Sequence, residues 1–267
     1  MLRTRIVTAL VLVLALGLIL FALPPVAASL AFVAIAAIAA WEWAGLMKLD
    51  PPARYMYGAT IVVCCWQLSV NLPQLIPVLL GLSVAFWLLM VPFWFRYKWT
   101  LGGNDMLGYL LGGLVILPTW AAMAALNAVD VWLMLAVMAL VCIADIAAYF
   151  SGRAFGRHKL APTISPGKTW EGVAGAVAGV LIYGGIILSY SPLGGKLPFP
   201  APVVAGLLLL LTAVSVMGDL FESLLKRQAG VKDSSQLLPG HGGVLDRIDA
   251  LTSTLPLAAL ILYLVRP

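Results

Sequence analysis

The stretch Ala201–Leu225, APVVAGLLLLLTAVSVMGDLFESLL, decides the fold. It opens with an uncharged apolar run about as long as a helix needs to cross roughly 30 Å of hydrocarbon. The acids Asp219 and Glu222 follow near its end. The rest of the chain has the same character. Of 267 residues 63% are hydrophobic and only 10% charged, with a mean hydropathy of +1.04. That balance excludes a soluble globular domain, although the length alone would allow one or two. The chain is therefore expected to be an all-α, polytopic membrane protein.

Scanning for runs of spanning length places nine helices, at about 6–23, 26–46, 55–70, 73–95, 106–126, 129–150, 171–190, 201–225 and 248–265, the third being short. Arg3 and Arg5 before an apolar run could mark a secretory signal, with Val26-Ala27-Ala28 a tolerable cleavage context. The run is longer than a usual signal core, so a retained first helix is expected. With the N-terminus in the cytosol, fourteen of the sixteen Lys and Arg residues fall in inside segments, leaving only Lys196 and Arg266 outside. This is the positive-inside pattern, and a reversed orientation or a miscounted span would spoil it. Two regions follow: 1–127, membrane helices with short uncharged connections, and 128–267, membrane helices joined by two polar cytosolic loops rich in Gly and Pro, at about 151–170 and 227–245.

The formal charge of +5 does not mark a nucleic-acid binder, because the bases are scattered between apolar runs rather than clustered on a soluble face. Cys64, Cys65 and Cys142 lie within apolar runs without a nearby His and read as packing residues.

The acids are harder to explain as packing. An ionised carboxylate costs about 3 kcal/mol near the bilayer centre, so intramembrane acids point to function. Asp145, Asp219, Glu222, Asp246 and Asp249 all fall at the cytosolic ends of the expected spans. Helical spacing puts Asp219, Glu222 and Lys226 on one stripe and Asp246 and Asp249 on another. Facing acidic stripes need a cation between them, and an oxygen-only ligand set favours a hard ion such as Mg²⁺. Pairing with Lys226 and Arg247 is the alternative, most plainly for Glu222, which has Lys226 four residues on. Glu42, between Trp41 and Trp43, is expected at the inner interface.

The two polar loops suit phosphate. Ser165-Pro166-Gly167-Lys168-Thr169 looks like the end of a Walker A loop, but Pro162 stands where that pattern needs its first glycine, and no strand is expected before it. What remains is Ser165 and Thr169 hydroxyls and the Lys168 ammonium ahead of a helix N-terminus, a natural anion site. The second loop offers Lys226, Arg227, Lys232 and Pro239-Gly240-His241-Gly242-Gly243, whose paired glycines let backbone N–H groups approach an oxyanion. His241 could act as an acid or base or simply bond the loop. Gly172, Gly175 and Gly179 are expected to serve close helix packing.

The run Ser223-Leu-Leu-Lys226-Arg227, Lys232-Asp233 and Pro239-Gly240-His241-Gly242-Gly243-Val-Leu-Asp246-Arg247-Ile-Asp249 closely resembles the signature of the phosphatidate cytidylyltransferases. The run from Asp145 through Tyr149, Arg153, Lys159, Ser165-Pro166, Lys168-Thr169 and Glu171-Gly172 resembles that family's other well-preserved stretch. Ala250 departs from the pattern, where Ser is common. The resemblance covers about residues 145–250; the first five spans share only hydropathy and length.

The resemblance implies a helical membrane enzyme of the bacterial inner membrane, often a homodimer, with its site facing the cytosol. It would join CTP and phosphatidate into CDP-diacylglycerol, releasing pyrophosphate, with Mg²⁺ alone or with a second cation. On that reading Asp219, Asp246 and Asp249 would hold the metal and, with Lys226, form the catalytic set. Ser165, Lys168, Thr169, Ser223, Arg227, Lys232, His241, Gly242, Gly243 and Arg247 would bind substrate, supported by Asp145, Glu222 and Asp233. Two rival readings are an ion-coupled transporter, disfavoured because the acids lie toward one side and no repeat is visible, and a CTP-dependent lipid-alcohol kinase, separable by its product.

Overall fold

The computed structural model describes residues 2–101, 105–191, 194 and 198–265, so the two bases expected outside, Lys196 and Arg266, lie outside the described residues. Among the described residues nine helical passes run in order. They are α1 (Leu2–Gly17, continued by a π turn over Leu18–Ala22), α2 (Pro25–Leu46), α3 (Pro51–Val70), α4 (Ile76–Ala85) running through a π turn (Phe86–Met90) into α5 (Val91–Tyr97), α6 (Asp105–Val129), α7 (Val131–Phe155), α8 (Trp170–Tyr190), α9 (Ala201–Ala229), and the short α10 (Leu245–Ile248) leading into α11 (Leu251–Val265). Seven passes are long and apolar enough to cross a membrane, and the protein is a polytopic integral membrane protein.

The two that fall short of that standard are α3 and α11. Arg54, Gln67 and Ser69 dilute the apolar run of α3. The 15 residues of α11 span only about 22 Å at 1.5 Å per residue, yet α11 packs against α4, α6 and α9 and is buried along most of its length. The expected ninth span of 248–265 is thus a short central helix that starts at Leu251, three residues after α10 ends.

Local sequence sets the boundaries. Proline opens α2, α3 and α9, where its missing N–H costs nothing. Gly230, at φ 79°, closes α9 in the left-handed conformation. The first polar loop is more ordered than the sequence suggests: α7 continues to Phe155, and β1 (Lys159–Ala161) and β2 (Ser165–Thr169) form an antiparallel hairpin, Lys159 opposite Thr169 and Ala161 opposite Ser165. Strands of three and five residues are too short to leave a readable alternation, and Ser-Pro-Gly-Lys-Thr reads locally as a turn.

Several buried polar groups find partners inside the bundle, which hydrocarbon does not supply. The Ser253 hydroxyl donates to the Val214 carbonyl at 2.7 Å, Thr254 to Ala250 at 2.9 Å, and the indole N–H groups of Trp87 and Trp43 reach the carbonyls of Thr252 and Gly108 at 3.1 and 3.0 Å. Phe86, Trp87 and Trp94 meet Phe221 edge to face, fastening the α4–α5 pass to α9.

The expected small-residue stripe is real. A methyl group at Gly172 would lie 3.0 Å from the Ala148 carbonyl oxygen, one at Gly175 would run into the Ser151 side chain and lie 3.0 Å from the Ala147 carbonyl, and one at Gly179 would lie 2.8 Å from Ala147 Cβ. These contacts let α8 lie against α7. Gly175→Val should therefore destabilise the protein by about 1–3 kcal/mol, read as a lowered thermal midpoint in detergent. Gly185→Ala, which meets open space on the same helix, should leave the midpoint unchanged or slightly higher.

Candidate active site

The passes alternate in direction, so the end of α7, the hairpin, the start of α8, the end of α9, the loop after it and α10 gather at one end of the bundle. Each polar side chain there is aimed by the element that carries it. Two groups of charges result.

The inner group is buried. The Lys226 ammonium sits between Glu222 Oε2 at 2.8 Å and Asp246 Oδ1 at 2.6 Å. The i,i+4 spacing on α9 supplies the first pair, and α10 brings the second from across the loop. Asp246 Oδ2 accepts three further hydrogen bonds, from the Ser234 N–H and hydroxyl at 2.8 Å each and from the Gly243 N–H at 2.7 Å. Burial alone would raise the Asp246 carboxyl, but the Lys226 ammonium and the Gly243 and Ser234 N–H groups outweigh it and hold it below the usual carboxylate range. Gly242, at φ 80°, has no room for a side chain, since a methyl there would lie 2.6 Å from Asp246 Oδ2.

The outer group is partly open to solvent. Lys168, carried on β2, pairs with Asp219 on α9 at 2.5 Å, each about a quarter exposed. The Ser223 hydroxyl donates to Asp219 Oδ1 at 3.3 Å. Asp145, Asp219 and Asp249 lie within electrostatic reach of one another, with Lys168 and Arg247 beside Asp145. Asp249 also reaches Glu222, linking the outer group to the inner one.

The remaining residues singled out from the sequence divide by environment. Arg227, Lys232, Asp233 and Arg247 are exposed, and the Arg227 guanidinium donates to the Val231 carbonyl at 3.3 Å. Ser165 is half-buried at the start of β2. The buried Thr169 hydroxyl accepts from the Gly172 N–H at 3.1 Å and caps α8. The half-buried His241 has an enclosed Nδ1 with no hydrogen-bond partner among the described residues. His158, unremarkable in the sequence, meets Glu171 at 2.7 Å.

Glu42 differs from its expected interfacial placement. It is 1% exposed, and its carboxylate accepts from the Ser235 hydroxyl at 2.6 Å, the Ser234 hydroxyl at 3.3 Å, the Val244 N–H at 2.9 Å and the Leu245 N–H at 2.6 Å. Its sequence neighbours, two tryptophans, suggested a membrane surface. The available signal was an acid within an otherwise apolar span.

Oxygen donors dominate the acidic face, which suits a hard cation. Among the described residues no group of three or more His, Cys, Asp or Glu side chains stands close enough to hold a metal by itself.

A family model described as the cytidylyltransferase family matches residues 3–265. The chain is 43% identical to a phosphatidate cytidylyltransferase of Pseudomonas aeruginosa, over 98% of this chain and 97% of that protein. It is 36% identical to one of Haemophilus influenzae, over 96% of each. A phosphatidate cytidylyltransferase of Brucella suis is 52% identical over 126 residues, or 47% of this chain.

Lys226 is the only cation bonded to both Glu222 and Asp246 among the described residues. Lys226→Met should therefore cost about 3–5 kcal/mol of stability by leaving two carboxylates facing each other in a buried place. Lys168→Met, at the open pair, should cost about 1 kcal/mol or less. Thermal or denaturant unfolding of the purified variants measures both.

Proposed function

The chain belongs to the cytidylyltransferase family, and from that premise we propose how its residues make CDP-diacylglycerol from CTP and phosphatidate. It is a phosphatidate cytidylyltransferase, a nucleotidyltransferase of phospholipid biosynthesis. The observation that carries the residue-level reading is the joining of two distant stretches: Lys168 of the hairpin pairs with Asp219 of α9, beside Asp145 and Asp249.

A phosphate monoester must approach a triphosphate of high negative charge, so the site's first task is neutralisation. Asp219 and Asp249 would hold Mg²⁺, alone or with a second cation. Asp246, expected from the sequence as a third ligand, has both oxygens engaged by Lys226, Ser234 and Gly243 and would add negative charge behind the ion. A divalent cation held there would supply charge neutralisation for the phosphates and for the leaving pyrophosphate. Lys168 gives up Asp219 to grip a phosphate. Arg227, Lys232 and Arg247, exposed around the same mouth, clamp further oxygens, while Ser165, Ser223, His241 and the Gly242-Gly243 turn line the approach. Lys226 keeps Asp246 and the glycine turn fixed.

A phosphatidate oxygen attacks the α-phosphorus of CTP in line. The new P–O bond forms as the bond between the α-phosphorus and its bridging oxygen breaks, and pyrophosphate carries that electron pair away. No covalent enzyme intermediate is required.

The same reading sets the orientation. The N-terminus lies in the cytosol, because the end of the bundle that carries the site also carries the segments holding fourteen of the sixteen basic residues. The substrate lipid enters from the inner leaflet. The region 128–267 forms the catalytic part, 1–127 supports it, and the enzyme works as a homodimer, the last point resting on the family resemblance alone.

Labelled CTP, phosphatidate and Mg²⁺ given to the purified protein should yield CDP-diacylglycerol and pyrophosphate in equal amounts; release of CDP instead would mean a kinase. Asp219→Asn should lower this turnover by about 100-fold or more with expression and thermal midpoint unchanged. Near-normal turnover would overturn the metal assignment.

A further inference from the structure

Glu42 lies on α2, far in sequence from every residue assigned to chemistry, yet all its hydrogen-bond partners belong to one loop. Ser234 and Ser235 donate from the loop's first part, Val244 and Leu245 from its last. A carboxylate in a lipid-embedded bundle normally meets a cation. Glu42 has no ion pair among the described residues, and four uncharged donors solvate its carboxylate instead.

The fit is close. A methyl group at Gly243 would collide with both Glu42 Oε1 and Ser234 Oγ. The helix beneath is well anchored: Ala39, Ala40, Trp43 and Ala44 are buried, and the Trp43 indole N–H reaches the Gly108 carbonyl. The loop residues touching Glu42 are contiguous with those fixing Asp246. Ser234 bonds both carboxylates, and Gly243 and Val244, adjacent in sequence, bond one each. Glu42 thus holds both ends of the loop that presents Lys232 and the glycine turn and leads into Asp246, Arg247 and Asp249.

We infer that Glu42 is a positioning residue for cytidylyl transfer, a carboxylate clamp that fixes the 234–245 loop so that the charged groups on and beside it are preorganised for the triphosphate. The inference rests on the function proposed above. It concerns rate rather than substrate affinity, because Glu42 is enclosed and touches the loop, not the open face. Displacement of the supported groups by about an ångström is enough to slow chemistry by up to about 100-fold.

Glu42→Gln replaces one accepting oxygen with an amide that faces hydroxyl and N–H donors. The full chain in detergent or nanodiscs should then show kcat lowered about 10- to 100-fold. KM for CTP and for phosphatidate should change by less than about threefold. Hydrogen exchange should rise at the Val244 and Leu245 amides while α6 and α7 keep their protection. Ser235→Ala, which removes one donor and leaves three, should reproduce the loop effect with a smaller loss of kcat, and it decides the matter if Glu42→Gln does not insert. Wild-type kcat, a loss confined to KM, unchanged exchange in the loop, or exchange raised throughout the bundle would each overturn the clamp. Failure of the wild-type protein to make CDP-diacylglycerol would sink the proposed function instead, and the exchange measurement would still test whether Glu42 holds the loop.

Discussion

Hydrocarbon offers no hydrogen bonds, and that single property of the solvent shapes both the bundle and its site. Along most of its length the chain meets the demand with helices, whose backbone groups satisfy one another. Several polar side chains that enter the interior are bonded to backbone carbonyls, as Ser253 is to Val214 and Thr254 to Ala250. Charges cannot be hidden so simply. They collect at one end, where Lys226 sits between Glu222 and Asp246 and where loop N–H groups complete the Asp246 carboxylate.

The two sets of charges at that end differ in what they can still do. Both oxygens of Asp246 are engaged and Lys226 is bonded to two carboxylates, so the inner set acts as a rigid wall. The Lys168–Asp219 pair is partly solvated, and Arg227, Lys232 and Arg247 are exposed. An incoming phosphate can exchange with that pair without leaving a deeply buried charge alone. On the function proposed above, fixed charges behind and exchangeable charges in front would make a preorganised electrostatic site.

How far the sequence reveals this depends on the range of the forces involved. Hydropathy is a local sum, so all nine helical passes are legible; α3 and α11 fall below the spanning standard, one for its polar content and the other for its length. The i,i+4 pairing of Glu222 with Lys226 is likewise local and readable. The β1–β2 hairpin is missed because its strands are too short for a period to show. Glu42 is misplaced for a different reason. Its four partners lie 192 to 203 residues away, and nothing near Trp41 and Trp43 foretells them. Helical spacing suggests that Asp219 faces Asp246 and Asp249 across a cation; that Asp145 shares their field while Asp246 is tied to Lys226 is a property of packing.

The hairpin explains why the two family-like stretches act as one unit. Lys168 can meet Asp219 only if β2 is held over the end of α9, and its support comes from α7 and α8. Thr169 caps α8, and Gly152 and Gly156 make room for it: a methyl at Gly152 would lie 2.9 Å from the Thr169 hydroxyl, and one at Gly156 would lie 2.9 Å from the Thr169 methyl. The stretch from 145 to 172 therefore contributes more than Asp145 and Lys168. It contains the helix end, the cap and the close glycine contacts that fix where Lys168 stands. The stretch from 219 to 249 does the same for its acids through Lys226, Ser234 and Gly243. The helices that carry the two supports also pack on each other, α8 against α9, so the partly exposed Lys168–Asp219 pair can exchange partners without parting the supports, and on the function proposed above that is where a charged substrate would enter.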